Sequence, residues 1–547
     1  MLSCASAAFS AQGRQLKSVA MPGRSARKRP ASARKRPASA RKRPAAHAML
    51  RPDAEASRLS PLAKKREEML GELPSEQPDW EKHVVEMFDG ELGFIIKTLG
   101  IKAITLNLWC DCAGLLVEGF ALDRLAKRLK EHTSLEVGVK VFTACEIKGD
   151  LRSFIADNHH PKHMCNDVLN RDWVRGRFEC GKTDQWLDFP SVGIDLYVAG
   201  FPCGPWTTNG LRKGLGDPNA QQCFATVKTI KLLQPCLHML ENVMECTRAR
   251  SGEDFKTILN FLNSELPNYA HNANLAIDPT QRAYPIFRTR VLIEGGNGAK
   301  VKQELLVEYV GRVLSKPFPL TMTYWDFLRL KERLELQRMH MPPNPHEISA
   351  ILGSGCTCGL DPMTLCEVHV CKCKCCKKQV GLNCEWRLKA KTYIDNNLKN
   401  MEQHMLEEIT YLQAIELFSV IDCRGPSSPR ERNMLNIMAR KPNLQPLSKS
   451  FAVMDTSASI DHVSINASGA VPTLGVNATP WVFALGRFLT VYQMGMLMGH
   501  NMAEIKLDAL SDNAWRSALG NSLHVATTGS MLFPMIMAAL VGHNQQP

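Results

Sequence analysis

Residues 195–206 read DLYVAGFPCGPW, and this stretch indicates how the chain folds. An apolar run of strand length ends at Gly200, and a turn that contains Pro202 and Cys203 follows it directly. Comparable short apolar runs recur along the chain, at Ala103–Leu108, Val139–Cys145, Cys236–Leu240 and Val291–Ile293. The segments between the runs carry helical patterns, which are clearest at Gly119–His132 and Cys223–Leu233.

This alternation predicts an α/β fold in which a parallel sheet is covered by helices on both faces. Ligands of such sheets bind outside the carboxyl ends of the strands. The residues that directly follow the apolar runs are therefore the candidates for chemistry. They are Trp109 to Gly114, Glu146, Phe201 to Cys203, and Glu241 with Asn242.

Positive charge is concentrated at the start of the chain. The 547 residues carry a net charge of +13, and the first 50 contain twelve Lys or Arg and no acidic residue, so the remainder is close to neutral. The unit ARKRPAS starts at Ala26 and Ala33 and decays in a third copy at Ala40. We expect residues 1–78 to be a disordered basic tail that serves nuclear import or binds nucleic acid. An organelle transit peptide and a merely solubilising tail are the alternatives.

Composition excludes several classes of protein. A hydrophobic share of 44% and a charged share of 22% are those of a globular chain, which excludes collagen-like and wholly disordered proteins. Nineteen cysteines without a secretory-type apolar segment predict a reducing compartment. Polar residues and Pro534 interrupt the most apolar stretch, Val525–Val541, which favours a buried helix over a membrane span. We expect a monomer with no membrane partner.

Several short motifs occur together in a fixed order. Gly200-Phe-Pro-Cys-Gly-Pro-Trp206 is followed by Glu241-Asn-Val243 and then by Arg288-Thr-Arg290. Near the end of the chain stand Arg487-Phe-Leu-Thr490 and Gly520-Asn-Ser522. This order resembles the cytosine-5 DNA methyltransferase family over roughly residues 100–295 and 470–542.

The resemblance implies a Rossmann-like class I methyltransferase sheet with a smaller target-recognition domain inserted before the C-terminal motifs. The implied domains are the tail at 1–78, the first part of the catalytic domain at 79–298, the recognition region at 299–470 and the second catalytic part at 471–547. It also implies transfer of a methyl group from S-adenosylmethionine to carbon 5 of a cytosine flipped out of DNA.

The resemblance assigns catalytic roles to four residues. Cys203 resembles the nucleophile that adds to carbon 6 of the ring, and Glu241 resembles the group that protonates ring N3. Arg288 and Arg290 resemble a fork near the base. If both stand on one strand, two positions apart, they face the same side and can point into one pocket.

The resemblance also implies a set of cofactor-binding residues. Glu146 resembles the acid that holds the ribose hydroxyls, and Asp167 resembles the residue at the adenine amine. The other members come from the first-strand loop, the Pro-Cys motif and the terminal motif; they are Trp109, Gly114, Pro202, Asn521 and Ser522. The first motif departs from the family pattern, because Asp111 and Ala113 replace two glycines.

A cysteine-rich cluster lies inside the recognition region. Its members are Cys356, Cys358, Cys366, His369, Cys371, Cys373, Cys375, Cys376 and Cys384. Structural zinc takes four Cys or His ligands, so a zinc site is one interpretation and a group of reduced thiols is the other. Beyond it, Leu398, Met401 and Met405 begin an apolar stripe that predicts a packing helix at 396–418.

Two other functions remain open at this level. An RNA cytosine methyltransferase would carry the same core residues, although the Cys-Phe-Thr signature typical of the tRNA-modifying branch is absent between residues 300 and 470. A nucleic-acid-binding homologue that has lost the cofactor is the second alternative, because the first motif is altered.

Overall fold

The computed structural model describes residues 77–328 and 452–543 with short gaps, together with Glu431, Met434, Leu435 and Met438. The gaps are residues 191–192, 208–209, 211, 321, 460–462, 464 and 484–486. Three predictions therefore lie outside the described residues. They are the basic tail up to residue 76, the cysteine-rich cluster with its zinc site, and the helix at 396–418.

The strands of the described residues fall into three sheets. In chain order they are β1 (Ala103–Asp111), β2 (Glu136–Cys145), β3 (His163–Cys165), β4 (Arg171–Asp172), β5 (Arg177–Cys180), β6 (Gln185–Asp188), β7 (Leu196–Gly200), β8 (Leu237–Val243), β9 (Tyr269–Ile277), β10 (Arg290–Asn297), β11 (Val453–Asp455), β12 (Ile465–Asn466), β13 (Pro480–Val482) and β14 (Arg487–Phe488). The central sheet has the order β3-β2-β1-β7-β8-β10-β9; the two smaller sheets have the orders β4-β5-β6 and β12-β11-β13-β14.

Helices cover the central sheet. They are α1 (Trp80–Glu86), α2 (Asp89–Lys97), α3 (Val117–Thr133), α4 (Gly149–His159), α5 (Gln221–Leu233), α6 (Glu245–Arg248), α7 (Glu253–Glu265), α8 (Gln303–Ser315), α9 (Tyr324–Phe327), α10 (Val491–Leu497), α11 (Asp512–Asn521) and α12 (Val525–His543). Short 3₁₀ turns occur at Gly214–Gly216, Pro218–Ala220, Ala249–Gly252 and Pro279–Gln281. The architecture is the mixed α/β, Rossmann-like fold that the sequence predicts, and the five predicted strands and both predicted helices are present.

The prediction of a wholly parallel sheet is wrong at one edge. Strand β10 runs antiparallel to both of its neighbours, β8 and β9. The connection from β9 to β10 contains a 3₁₀ turn at Pro279–Gln281 and no helix. A parallel return normally needs a crossover helix, so this link reverses the chain instead.

Alternation along the strands separates two apolar clusters on the two faces of the sheet. Leu108, Met239 and Leu292 belong to the first cluster, whereas the next residues in the chain, Trp109, Leu240 and Ile293, belong to the second. Successive side chains of a strand point to opposite faces, so every central strand contributes to both clusters. The sheet is therefore buried on both sides, and its open strand ends are left for the site.

The predicted domain boundaries at 298 and 470 stay predictions, and contacts within the fold cross both of them. Helix α8 lies beyond residue 298, yet its buried face contributes Leu306, Val310 and Val313 to the first cluster of the catalytic core. The spacing of these residues by three and four gives the helix one apolar stripe. The sheet of β11 to β14 also draws strands from both sides of residue 470.

The C-terminal helix α12 is apolar along its length. Among the described residues it is the helix long and apolar enough to span a membrane, and 89% of its window Val525–Gly542 is buried inside the fold. It packs against α1, where a Cβ added at Gly529 would overlap the ring of Trp80. The close approach of the helix to this ring therefore requires glycine.

We expect Gly529→Ala to lower the free energy of unfolding by about 1–3 kcal/mol, since the added methyl group overpacks the core against Trp80. The matched control is Gly311→Ala in α8, where an added Cβ meets nothing within 4 Å. Alanine favours a helix, so this control should be neutral or stabilising by up to about 1 kcal/mol. Urea denaturation measures both, and equal effects of the two substitutions would contradict the packing described here.

Candidate active site

A cavity of about 240 Å³ opens at the carboxyl ends of the central strands. Its walls come from the segments that follow β1, β2, β3, β7 and β8 and from the C-terminal segment. The lining includes Cys112, Gly114, Glu146, Asp167, Pro202, Cys203, Gln222, Glu241, Arg288, Arg290, Gly520 and Asn521. The cavity lies where the strand topology predicts that a ligand binds.

Strand pairing brings Cys203 and Glu241 into this cavity. Strands β7 and β8 are parallel, and Gly200 stands opposite Glu241 in their register. Cys203 follows three residues later, on the turn that leaves β7. A Cβ added at Gly200 would lie 3.1 Å from Oε2 of Glu241, so a glycine here lets the carboxylate pack closely on the backbone.

Arg290 is the ion-pair partner of Glu241. Its Nε lies 3.0 Å from Oε1 of Glu241, and both side chains are nearly buried. Leu292 is the register partner of Glu241 on the antiparallel neighbour β10, and Arg290 stands two positions away on the same face. A diagonal neighbour on the same face is within reach of a long side chain, which explains the contact.

The turn that carries Cys203 is fixed by hydrogen bonds. The side-chain Nδ2 of Asn242 donates to the carbonyl of Phe201 at 2.9 Å. The backbone N–H groups of Trp206 and Thr207 donate to the carbonyl of Cys203 at 2.9 and 3.1 Å. Asn242 thereby ties the end of β8 to the end of β7, and it holds the Cys203 turn beside Glu241.

Burial controls the protonation of both reactive groups. Burial raises the pKa of Glu241, although the charges of Arg290 and Arg288 act to lower it. Burial also raises the pKa of the Cys203 thiol; the Glu241 charge adds to this rise, and the two arginines oppose it. The cavity therefore favours the protonated form of both groups.

Arg288 lines the cavity, but its guanidinium is committed elsewhere. Its Nη1 donates to the carbonyl of Leu474 at 3.0 Å, its Nη2 to that of Gly520 at 3.0 Å, and its Nε to that of Ser522 at 3.1 Å. Both arginines of the predicted fork line the cavity. Arg290 meets Glu241, whereas Arg288 binds carbonyls of the C-terminal segment. It holds the C-terminal segment against the sheet.

The predicted cofactor acids lie at the other side of the cavity. Oε2 of Glu146 accepts a hydrogen bond from the N–H of Gly114 at 2.9 Å, and its Oε1 accepts one from the N–H of Lys148 at 3.0 Å. Oδ1 of Asp167 accepts one from the N–H of Leu169 at 2.9 Å. Gly114 has a φ of +55°, a left-handed backbone conformation that glycine adopts without steric cost.

Two predicted cofactor residues do not line the cavity. Trp109 is fully buried and packs against Phe142, Phe178 and Phe189 in the second apolar cluster. Its indole lies on the side of β1 that faces this cluster. Ser522 is also buried, and its carbonyl accepts from Arg288. Trp109 is therefore a core residue, and Ser522 anchors the wall that Gly520 and Asn521 form.

Asp111, which replaces a glycine of the first motif, lies in a buried polar network. Arg171 donates to both of its carboxylate oxygens, at 2.5 and 2.6 Å, and neither side chain is exposed. The hydroxyl of Tyr197 donates to Asp111 at 2.7 Å and the indole of Trp109 at 3.1 Å. Arg171 thus neutralises the carboxylate that stands where the family pattern has a glycine. Nothing in the sequence pattern around Arg171 indicates this role.

A second buried carboxyl, Glu118, was also missed. It lies in the first turn of α3, is 2% exposed, and its Oε2 has no hydrogen-bond partner. Burial raises its pKa to about 7, and the charge of Glu241 acts in the same direction. An acidic residue in the first turn of a helix is common because it interacts favourably with the helix dipole. The sequence therefore does not indicate that Glu118 is buried.

The Asp111 network leads to a prediction about stability. Asp111→Gly restores the family residue but leaves Arg171 as a buried, unpaired charge, so we expect a loss of about 3–5 kcal/mol in the free energy of unfolding. Arg171→Met should be similarly harmful. The double variant Asp111→Gly/Arg171→Met should recover most of the loss in urea denaturation, and strictly additive losses would show that the pair does not act as a unit.

The raised pKa of Glu118 leads to a pH dependence. The folded protein holds this proton more tightly than the unfolded chain, so the stability it contributes is complete below pH 4.5 and is lost as pH rises through about 7. Glu118→Gln should therefore match the native protein at pH 5 and exceed its stability by up to about 3 kcal/mol at pH 8. Thermal unfolding across this range tests it, and a difference independent of pH would refute it.

Comparisons with known proteins show similarity over part of the chain. The family model for C-5 cytosine-specific DNA methylase matches residues 131–295. The chain is 38% identical over 115 residues to the Type II methyltransferase M.HgiCI of Herpetosiphon aurantiacus, covering 21% of this chain and 26% of that protein. It is 32% identical over 154 residues to the Type II methyltransferase M.SsoII of Shigella sonnei, covering 26% and 40%.

Among solved structures, the chain is similar to the Entamoeba histolytica methyltransferase EhMeth, with a TM-score of 0.38, 10% identity and coverage of 79% of this chain and 98% of that one. It is also similar to S. pombe Dnmt2, with a TM-score of 0.36, 12% identity and the same coverage. The chain spans between a quarter and two fifths of the length of the two curated relatives named above. The matched residues 131–295 hold Glu146, Cys203, Glu241 and Arg290, so this part of the chain is similar to the C-5 cytosine-specific DNA methylases.

Proposed function

We propose that this protein methylates carbon 5 of cytosine in DNA, with S-adenosylmethionine as the methyl donor. One observation carries the proposal: Cys203, Glu241 and Arg290 line the same cavity as Glu146 and Asp167. A nucleophile and a proton donor for the base thereby stand beside carboxylates suited to a nucleoside. The core motifs and the family support the same reaction.

The cavity fits the cofactor in its polar groups. Glu146 is held by backbone N–H groups of two loops, so its carboxylate is fixed at the cavity wall for ribose hydroxyls. Asp167 supplies an acceptor for the adenine amine, and the cavity also holds a buried oxygen without a partner, Oε1 of Gln222. When bound, S-adenosylmethionine supplies an electrophilic methyl group on a sulfonium sulfur.

The residues of the chain activate the base. Carbon 5 of cytosine is a poor nucleophile, and addition of the Cys203 thiolate to carbon 6 forms an S–C bond that makes carbon 5 electron-rich. Protonation of ring N3 by Glu241 takes up the negative charge that this addition creates. Burial raises the pKa of Glu241, which favours the protonated carboxyl that this step needs. Carbon 5 then forms a bond to the donated methyl carbon, whose bond to the sulfonium sulfur would break, so that the cofactor would leave as S-adenosylhomocysteine. Loss of the carbon 5 proton to solvent, departure of the Cys203 thiolate and return of the N3 proton to Glu241 restore the aromatic ring.

Arg290 has an electrostatic task in this scheme. Its charge acts to lower the pKa of the Cys203 thiol, against the effect of burial. It also pairs with the carboxylate that Glu241 becomes after it gives up its proton. Its side chain therefore favours the charged form of each group at the step where that form is needed.

Access to the site requires that the base leave the duplex. A cytosine inside B-form DNA cannot reach a thiol at the mouth of the sheet, so the target nucleotide is extruded at a cost of a few kcal/mol of unstacking. The basic segment at the start of the chain adds affinity for phosphates through counterion release. Nuclear import by this segment and a zinc site in the cysteine-rich cluster stay predictions.

Cys203→Ser tests the proposed nucleophile. The native protein should form a covalent adduct with duplex DNA that contains 5-fluorocytosine when S-adenosylmethionine is present, because fluorine cannot leave as a proton would. The Ser variant should form none, since an alcohol is a far weaker nucleophile, and should still bind the duplex within about twofold. Denaturing electrophoresis detects the adduct.

The matched control is Cys236→Ser, which changes a half-buried cysteine just before β8, at the opposite end of that strand from the site. It should form the adduct as the native protein does. An adduct with Cys203→Ser would remove this residue from the mechanism. A parallel assay with tRNA distinguishes the RNA alternative, because methyl transfer to tRNA alone would replace DNA as the substrate.

A further inference from the structure

Gln222 carries an unexplained polar atom in the cavity. Among the described residues that line the cavity, it is the one whose side chain has a buried oxygen or nitrogen without a hydrogen-bond partner. A buried carbonyl oxygen without a partner costs about 1–3 kcal/mol. Such a cost inside a binding cavity is explained if a ligand supplies the missing donor.

The helix places Gln222 at the Asp167 side of the cavity. Gln222 stands in the first turn of α5, and Thr226 and Thr229 follow on the same face, one and two turns later. The hydroxyl of Thr229 accepts from Nη1 of Arg171 at 2.5 Å. Arg171 lies four residues beyond Asp167, so this face of α5 is turned toward the segment that follows β3.

The chemistry of a primary amide suits a purine edge. Adenine presents its exocyclic amino group, a donor, beside a ring nitrogen, an acceptor. A glutamine side chain offers an acceptor oxygen and donor nitrogen in the complementary arrangement, whereas the ionised carboxylate of Asp167 can only accept. An amide at position 222 can therefore form hydrogen bonds with both the amino group and the ring nitrogen of adenine, whereas a second carboxylate could bind only the amino group.

We propose that Gln222 is a specificity-determining residue for the cofactor, and that its side-chain amide binds the amino edge of the adenine ring. The inference rests on the proposed function and deepens it, since it names the part of the cofactor that this residue recognises. Neither the motifs of the chain nor the altered first motif assigns a role to this position.

The test is calorimetric binding of S-adenosylhomocysteine and of its 6-deamino analogue, in which hydrogen replaces the adenine amino group. Gln222→Met keeps the length of the side chain and removes its hydrogen bonds. We expect this variant to bind S-adenosylhomocysteine about 5–20-fold more weakly than the native protein and to bind the 6-deamino analogue within about twofold. The native preference for the amino compound should shrink accordingly.

The control is Gln221→Met, which changes the exposed neighbour in the same helical turn and should leave both affinities unchanged. Unfolding temperatures verify that each variant is folded. Equal weakening of both ligands by Gln222→Met, or no weakening of either, would overturn the role of Gln222 while native binding leaves the proposed function standing. A native protein that binds neither compound would overturn both.

Discussion

The guanidinium of Arg288 joins two parts of the chain that are more than 180 residues apart. Its nitrogens bind the carbonyls of Leu474, Gly520 and Ser522, so the C-terminal segment is fixed to the start of β10. Its charge is buried and is met by carbonyl dipoles in place of water. Gly520 and Asn521 form a cavity wall because this contact holds them, and the site depends on it before any catalytic group is considered.

Protonation in the cavity follows from the same exclusion of water. Burial outweighs the two arginines for Cys203 and for Glu241, since the pKa of each group is raised. Burial therefore favours the protonated form of both groups, which suits an acid, whereas a thiol must lose its proton to become a nucleophile. Glu118 is disfavoured in its charged form by burial and by the nearby Glu241.

The sequence predicted the strands well because buried strands read as short apolar runs, and the motifs then placed Cys203, Glu241, Glu146 and Asp167 at one edge. It did not predict the direction of β10, since an apolar run carries no direction. The sequence also does not show that the guanidinium of Arg288 binds the C-terminal segment. Strand β10 begins only at Arg290, so strand alternation does not determine the direction of the Arg288 side chain.

Local sequence patterns do not predict contacts between segments that are distant along the chain. Asp111 and Arg171 are 60 residues apart, and only the fold brings the short sheet of β4 to β6 beneath the first-strand loop. The alternation of β1 shows that Trp109 points to one face of the sheet. Which of the two faces borders the cavity depends on the packing of the whole fold and cannot be inferred from the strand alone. Gln222 could have been noted from its position in the first turn of α5, yet its unpartnered oxygen appears only in three dimensions.

The buried pair of Asp111 and Arg171 has a consequence for how this sequence could have evolved. A lineage that acquired either charge first would have carried it unpaired in a dry interior, so the two were gained close together or through an ancestor in which water still reached the position. Once both were in place, neither could revert alone. Loss of either residue alone would therefore be selected against, and related chains should either keep both residues or lack both.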